Sequence, residues 1–251
     1  MQPLTRLEDE KKSCAILVYS FPQIALTQRP KMTNKKLFKA AFRYKESNCT
    51  IVADKKAGIQ TAKTTIKRNL QLLEEYIKKN PRFLFSLAPV SVTEGPEVAC
   101  LMAEASKKAK VGPMAAVAGV VADLAVKDMV DSGCKVAVVE DGGEVYAVSN
   151  QPIDVGFAAG HEHLSKEMGF RLKHFPIGVA TSSGKFSHAF SFGDADAVTI
   201  FAVNAGLADA AATAVANLIT GDDVEATIKK GVNAALSIEG VHGVFILYRE
   251  I

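Results

Sequence analysis

The sequence predicts a mixed α/β fold, and three observations carry that prediction. Residues 61–79 repeat apolar side chains at helical spacing, with Ile66, Leu70, Leu73 and Ile77 on one face. Residues 135–140 and 144–149 are β-rich runs joined by Asp141-Gly142-Gly143, a strong hairpin signal. Through the C-terminal half, short strand-like runs alternate with alanine-rich helical ones. Hydrophobic residues form 48% and charged residues 23% of the 251, which suits a globular chain with a substantial core and excludes wholesale disorder.

In chain order, a polar tail over residues 1–15 precedes a strand at 16–26 and a second at 37–44. The second pairs with 49–53 across the turn KESN. The 61–79 helix ends at Asn80-Pro81, and 83–92 reads as apolar and extended. Pro96 opens a helix to about residue 110. Gly112-Pro113 starts another, with proline at the first position where its missing N–H is harmless, and Gly133 stops it. After the hairpin, strands at 178–181 and 196–203 flank the loop TSSGKFSHAFSFGDA. Helices at 206–219 and 224–236 and a strand at 243–248 follow. With no Pro/Ser/Gly-rich linker and no internal repeat, one domain over 16–251 is expected, its motif-rich lobe at about 111–251.

Several classes are excluded. The most apolar window, residues 114–122, ends at Asp123, well short of the roughly 20 residues a membrane span needs. The start, MQPLTRLEDEKK, lacks the apolar core of a signal peptide, so a cytoplasmic location is expected. Cys14, Cys49, Cys100 and Cys134 form no CxxC pair and read as reduced thiols. The net charge of +3 is uneven: residues 29–79 hold fourteen Lys and Arg against four acids. No aromatic platform accompanies these lysines, which argues against nucleic acid and for a solvated basic face or one that attracts a phosphorylated ligand.

The strongest site signal lies in GLADAAATAVANLI. Leu207, Ala211, Val215 and Leu218 form a core stripe, while Asp209, Thr213 and Asn217, four apart, line nearly the opposite face. A wet helix face normally carries Lys and Glu, yet residues 205–221 contain no Lys, Arg or Glu. A carboxylate and a hydroxyl one turn apart near the positive end of a helix suit a hard cation such as Mg²⁺; the competing reading is a locally hydrogen-bonded structural pair. Ala115, Ala118, Gly119 and Ala122 form a small-residue stripe that fits tight helix packing or the close approach of a ligand. The glycine-rich turns at Gly112 and at Gly142-Gly143 present N–H groups of the kind that cradle phosphates.

Other constellations are weaker. His161 and His163 lack a convincing third metal ligand. His188 follows Ser182 and Ser183 and would serve as a general acid/base or a phosphate contact. Asp194 and Asp196 read as turn residues, and Glu140, Asp141 and Glu144 would add negative charge beside Asp209.

Four segments in order, VGPMAAVAG (111–119), EDGGEVY (140–146), TSSGKFSHAFSFGDADAV (181–198) and LADAAATAVAN (207–217), resemble a family of bacterial and archaeal proteins related to ApbE. The resemblance implies an ApbE-like, T-fold-like domain with mixed, antiparallel-rich sheets packed against helices. ApbE proteins are Mg²⁺-dependent transferases that split FAD and attach FMN to a threonine or serine. Carried over, Asp209 and Thr213 would hold Mg²⁺; Asp209 and, from its own serine-rich loop rather than from the ApbE pattern, His188 are the catalytic candidates. Gly112, Met114, Gly119, Gly142, Gly143, Glu144, Thr181, Ser182, Ser183 and Gly184 would contact FAD or FMN.

The chain departs from the ApbE pattern in places. Val117-Ala118-Gly119 stands where ApbE has Ala-Lys-Gly, and the His-x-x-x-Pro segment after the ATSG-like stretch is missing. Relative to its own family, Asp141 replaces Asn, Glu144 replaces Asp and Ala180 replaces Cys. The resemblance therefore implies a protein that binds a flavin, another nucleotide or a phosphorylated ligand with Mg²⁺, with FMN transfer itself in question. Its alternative is an accessory role in anaerobic sulfur assimilation and homocysteine formation, with a protein partner. A scaffold that has lost its site is the structural option, and a homo-oligomer is expected.

Overall fold

Strand-forming runs and amphipathic helices assemble into three layers in the computed structural model, which describes residues 15–19, 24–28, 37–156, 168–183 and 193–248. The loop positions His161, His163, Gly184 and His188 lie outside the described residues.

The N-terminal run is two strands rather than the single one the pattern predicts. β1 (Ala15–Tyr19) and β2 (Ile24–Gln28) join different sheets. Pro22, which has no N–H to give a ladder, stands between them. β3 (Phe38–Tyr44) and β4 (Ser47–Ala53) form the expected hairpin, with Lys45 of its turn at φ +53. α1 (Lys56–Lys79) begins five residues earlier than its apolar spacing indicates and buries Ala62, Ile66 and Leu73. The segment read as extended after Asn80 opens as a short helix, α2 (Pro81–Phe85), since Pro81 suits a first helical position; buried Phe83 meets the Tyr76 ring edge-on at 5.3 Å.

α3 (Glu97–Ala109) ends on Lys110 in the left-handed conformation, a common helix stop. A 3₁₀ turn (Pro113–Ala116) then leads into α4 (Val117–Asp131), which is buried almost all round. β5 (Ala137–Asp141) and β6 (Glu144–Val148) close the predicted hairpin. Gly142 and Gly143 sit at φ +68 and +117, a turn that side chains disfavour. β7 (Ile153–Gly156) and β8 (Met168–Leu172) were not legible as strands; they complete the smaller sheet, order β2-β8-β7. β9 (Ile177–Ser182), β10 (Ala197–Ala202), α5 (Ala205–Ala216), α6 (Val224–Leu236) and β11 (Val241–Tyr248) finish the chain.

The large sheet runs β1-β11-β10-β9-β6-β5-β4-β3, and every described pairing is antiparallel. The helices cover one face through a core that includes Ile51, Ile66, Met102, Val139, Ile200 and Val215. The smaller sheet covers the other through Phe170, Leu172, Val145, Phe201 and Phe245. Phe170 packs edge-on against Phe201 and Phe245 at 4.9 and 5.5 Å. Because both faces are covered, β10 is buried at every position, which is why its sequence shows no alternation. At the β3 edge, Lys56, Lys63 and Lys67 of α1 lie over the rings of Phe38, Phe42 and Tyr44 at 5.6, 5.7 and 5.9 Å.

Candidate functional site

The alanine-rich sequence of α5 lets it sink into the core. Nine of its twelve residues are buried, and the more open line along it carries Asp209 and Thr213, as the spacing predicts. Leu218, read as part of the core stripe, is only half-buried because the helix ends at Ala216. Asn204 caps the helix by accepting from Leu207 N–H at 2.9 Å.

Alternation along the strands decides which predicted residues face α5. On β9, Ala180 joins the helix-side core and Val179 the opposite one, so Ser182 faces the helices and Thr181 faces away. The Thr181 hydroxyl pairs with that of Thr199 at 2.9 Å on that other face. Ser182 is buried, and its Oγ has no hydrogen-bond partner among the described residues. Asp141 and Glu144 lie on the helix side by the same alternation, flanking the Gly142-Gly143 turn. Glu140 closes that turn by accepting from Gly143 N–H at 3.1 Å.

Four carboxylates therefore gather beneath the helices. Burial pushes Asp209 up to about 8, aided by the charges of Asp123 and Asp141 and opposed by the hydrogen bond from Gly119. Burial, and next the Asp209 charge, holds Glu144 well above the usual carboxylate range. Burial also raises Asp141, although Asn48 N–H donates to it at 3.0 Å, and pushes Asp123 up to about 7.

Gly119 and Gly112 serve close packing. A Cβ at Gly119 would lie 2.2 Å from the carbonyl oxygen of Ala205, so the small-residue stripe of α4 is a helix crossing; its N–H donates to Asp209 at 3.1 Å. A Cβ at Gly112 would lie 1.8 Å from the carbonyl oxygen of Ser86. Met114, beside it, is half-buried. Ser183 is buried at the end of β9.

The residues fit a hard cation with few protein ligands. Among the described residues, no three His, Cys, Asp or Glu side chains converge into a metal cage. Mg²⁺ does not need one, since it keeps several waters and takes one or two carboxylates. Asp209 supplies a carboxylate in a crowd of like charge that a cation would relieve, and the Ser182 hydroxyl is a buried oxygen with no partner among the described residues.

Sequence reasoning missed Asp123, treating it only as the end of an apolar window. It accepts from Ala205 N–H at 2.7 Å and Gly206 N–H at 2.9 Å. An acid alone in an uncharged helical run, four residues after Gly119, was the available signal. Asp123 and Tyr146 also line a cavity of about 310 Å³ with Glu97, Glu104, Lys127 and Asn204; Asp209, Thr213, Glu144 and Ser182 are not among its walls. Among the described residues, no single helix is long and apolar enough to cross a membrane.

The sequence matches the model of the family described as AbpE bacteria over residues 30–238. The chain belongs to this family. Fellow members of this ApbE-related group include UPF0280 proteins of archaea. One from Methanococcus maripaludis strain C7 is 40% identical over 220 residues, covering 86% of this chain and 89% of the relative. Another from Methanocaldococcus jannaschii is 39% identical, covering 85% and 88%. The AbpE bacteria fold is that of ApbE. The apo flavinyl transferase ApbE of Pseudomonas stutzeri superposes with a TM-score of 0.57 at 16% identity, over 88% of this chain and 94% of that one. The ApbE protein of Thermotoga maritima gives 0.56 at 15%, over 86% and 96%.

Proposed function

We propose that this chain binds a flavin or another phosphorylated nucleotide together with Mg²⁺, between α5 and the Gly142-Gly143 hairpin. The observation that carries the reading is the group of like charges around Asp209. A buried carboxylate whose neighbours raise its proton affinity is a poor structural element and a good cation ligand. Asp209 and Thr213 would hold the ion, with Ser182 as a further hydroxyl on the same side of the sheet. The ion would neutralise phosphate charge, while N–H groups of the glycine turn would donate to the phosphate oxygens. Alanine at position 118 replaces the lysine of the ApbE pattern, which argues against FMN transfer. The P. stutzeri relative is a flavinyl transferase, and that likeness is one of fold.

Calorimetric titration of the pure protein with FAD, FMN and ADP, with and without Mg²⁺, tests the reading. Binding that requires Mg²⁺ is expected for at least one of the three, and no heat in any combination would overturn it. Ser182→Ala separates ligand contact from packing. Removing a buried hydroxyl that has no partner among the described residues should leave stability unchanged or raise it by up to about 1 kcal/mol, while weakening Mg²⁺-nucleotide binding. Loss of stability with unchanged binding would assign Ser182 to the core instead.

A further inference from the structure

We propose that Asp123 is a positioning residue that holds Asp209 in place through a reciprocal staple between α4 and α5, an inference that rests on the reading of Asp209 as a ligand contact. The N–H groups in the first turn of a helix have no partner within it. Gly119 is the third residue of α4, and Ala205 and Gly206 are the first two of α5. Asp209 of α5 accepts from Gly119 at 3.1 Å, and Asp123 of α4 accepts from Ala205 and Gly206 at 2.7 and 2.9 Å. On each helix the donor and the acceptor are four residues apart, Gly119 with Asp123 and Ala205 with Asp209. The two contacts therefore close a ring, each carboxylate capping the other helix.

An ordinary cap does not account for this arrangement. Asn204 already caps α5 from within its own chain segment, through Leu207 N–H at 2.9 Å. Asp123 comes from another helix and takes the remaining two donors, which ties α5 to α4 rather than merely finishing it. The backbones leave no slack at the crossing. A Cβ on Gly206 would lie 2.5 Å from Val120 Cγ2 and 3.1 Å from Asp123 Oδ2, and one on Gly119 would lie 2.7 Å from Gly206 N. With the first turn of α5 fixed by Asp123, the carboxylate one turn later is fixed relative to Gly119. Asp123 thus sets where Asp209 stands without touching the ligand.

The test uses the full chain labelled with ¹⁵N, as wild type, Asp123→Ala and Asp123→Asn. Amide exchange is read at Gly119, Ala205, Gly206 and, as a reference for global opening, Val232 in α6. Affinity for ADP with Mg²⁺ is measured in parallel. In Asp123→Ala, exchange should rise at Gly119, whose N–H donates to Asp209 and not to residue 123, as well as at Ala205 and Gly206, with Val232 unchanged. Affinity should fall about 10- to 100-fold, the usual effect of losing a residue that orients a metal ligand. Asp123→Asn keeps one acceptor and should recover part of both, and it carries the comparison alone where Asp123→Ala does not fold. Exchange at Gly119 that matches wild type in the folded variants overturns the proposal. A wild type that binds no nucleotide with Mg²⁺ overturns the reading of Asp209, and Gly119 exchange still decides the positional claim.

Discussion

Asp209→Asn is expected to abolish Mg²⁺-dependent nucleotide binding while raising the stability of the ligand-free protein. Asparagine keeps an oxygen that can accept from Gly119 N–H, so the helix crossing survives. It removes a charge that burial and the neighbouring Asp123 and Asp141 oppose. The sign follows from linkage. The Asp209 carboxyl, ordinarily near 3.8, sits at about 8 in the folded chain, so the folded state holds a proton that the unfolded state has released. The stability this contributes is full below about 4 and is lost as pH rises through about 8. Asparagine carries no such slope. The advantage of the variant should therefore grow with pH, reaching about 1 kcal/mol or more at pH 8, a shift of a few degrees in Tm. Thermal melts at pH 5 and pH 8.5 without added metal, alongside the nucleotide titration, check both halves. A variant that melts below wild type at both pH values and still binds would make Asp209 a structural residue. On the proposed reading, wild type would gain back with Mg²⁺ what the carboxylate loses without it, the usual trade between function and stability.

Gly119→Ala should cost about 3 kcal/mol or leave no folded protein. The added methyl would meet the Ala205 carbonyl oxygen at 2.2 Å, its carbon at 2.5 Å and Gly206 N at 2.7 Å, all main-chain atoms of a buried helix. Nothing there can rotate away, so α4 and α5 must separate. Gly143→Ala is the control. It sits at φ +117 with no atom within 4 Å of a new Cβ, so its effect is backbone strain alone, about 1–2 kcal/mol. Urea unfolding of both variants measures the difference. Equal effects would show that the crossing yields easily, and the staple would lose its rigidity.

Much of this was legible in the sequence because local patterns and tertiary demands agree. α6 matches its expected span of 224–236, and the Gly142-Gly143 hairpin follows from turn chemistry. The line Asp209–Thr213 was visible because a half-open helix face without Lys or Glu has some reason other than solvation. The smaller sheet was hidden, since β7 has only four residues and β2, the other partner of β8, comes from a distant part of the chain. The extended reading of 83–92 gives way to helix over 83–85 because apolar content does not distinguish a short helix from an extended run. The role of Asp123 depends on which helix crosses which, and that is a long-range fact. The choice between Thr181 and Ser182 needed only the strand register, which alternation supplies once β9 is placed between β6 and β10.

Among the described residues β3 ends the large sheet, and that edge has a consequence for self-association. An uncovered strand offers its amides to any other edge, and two copies meeting there would extend the sheet without limit of register. Lys39 and Arg43 point outward from β3, and the α1 lysines roof the rings on its other side. Antiparallel pairing of two such edges would set cations about 5 Å apart across the seam. Lys39, Arg43 and the α1 lysines would thus act as an electrostatic gatekeeper against fibrillar growth at this edge. A homo-oligomer of this chain would have to assemble through another surface, and salt high enough to screen these charges is where β3-mediated aggregation should first be seen.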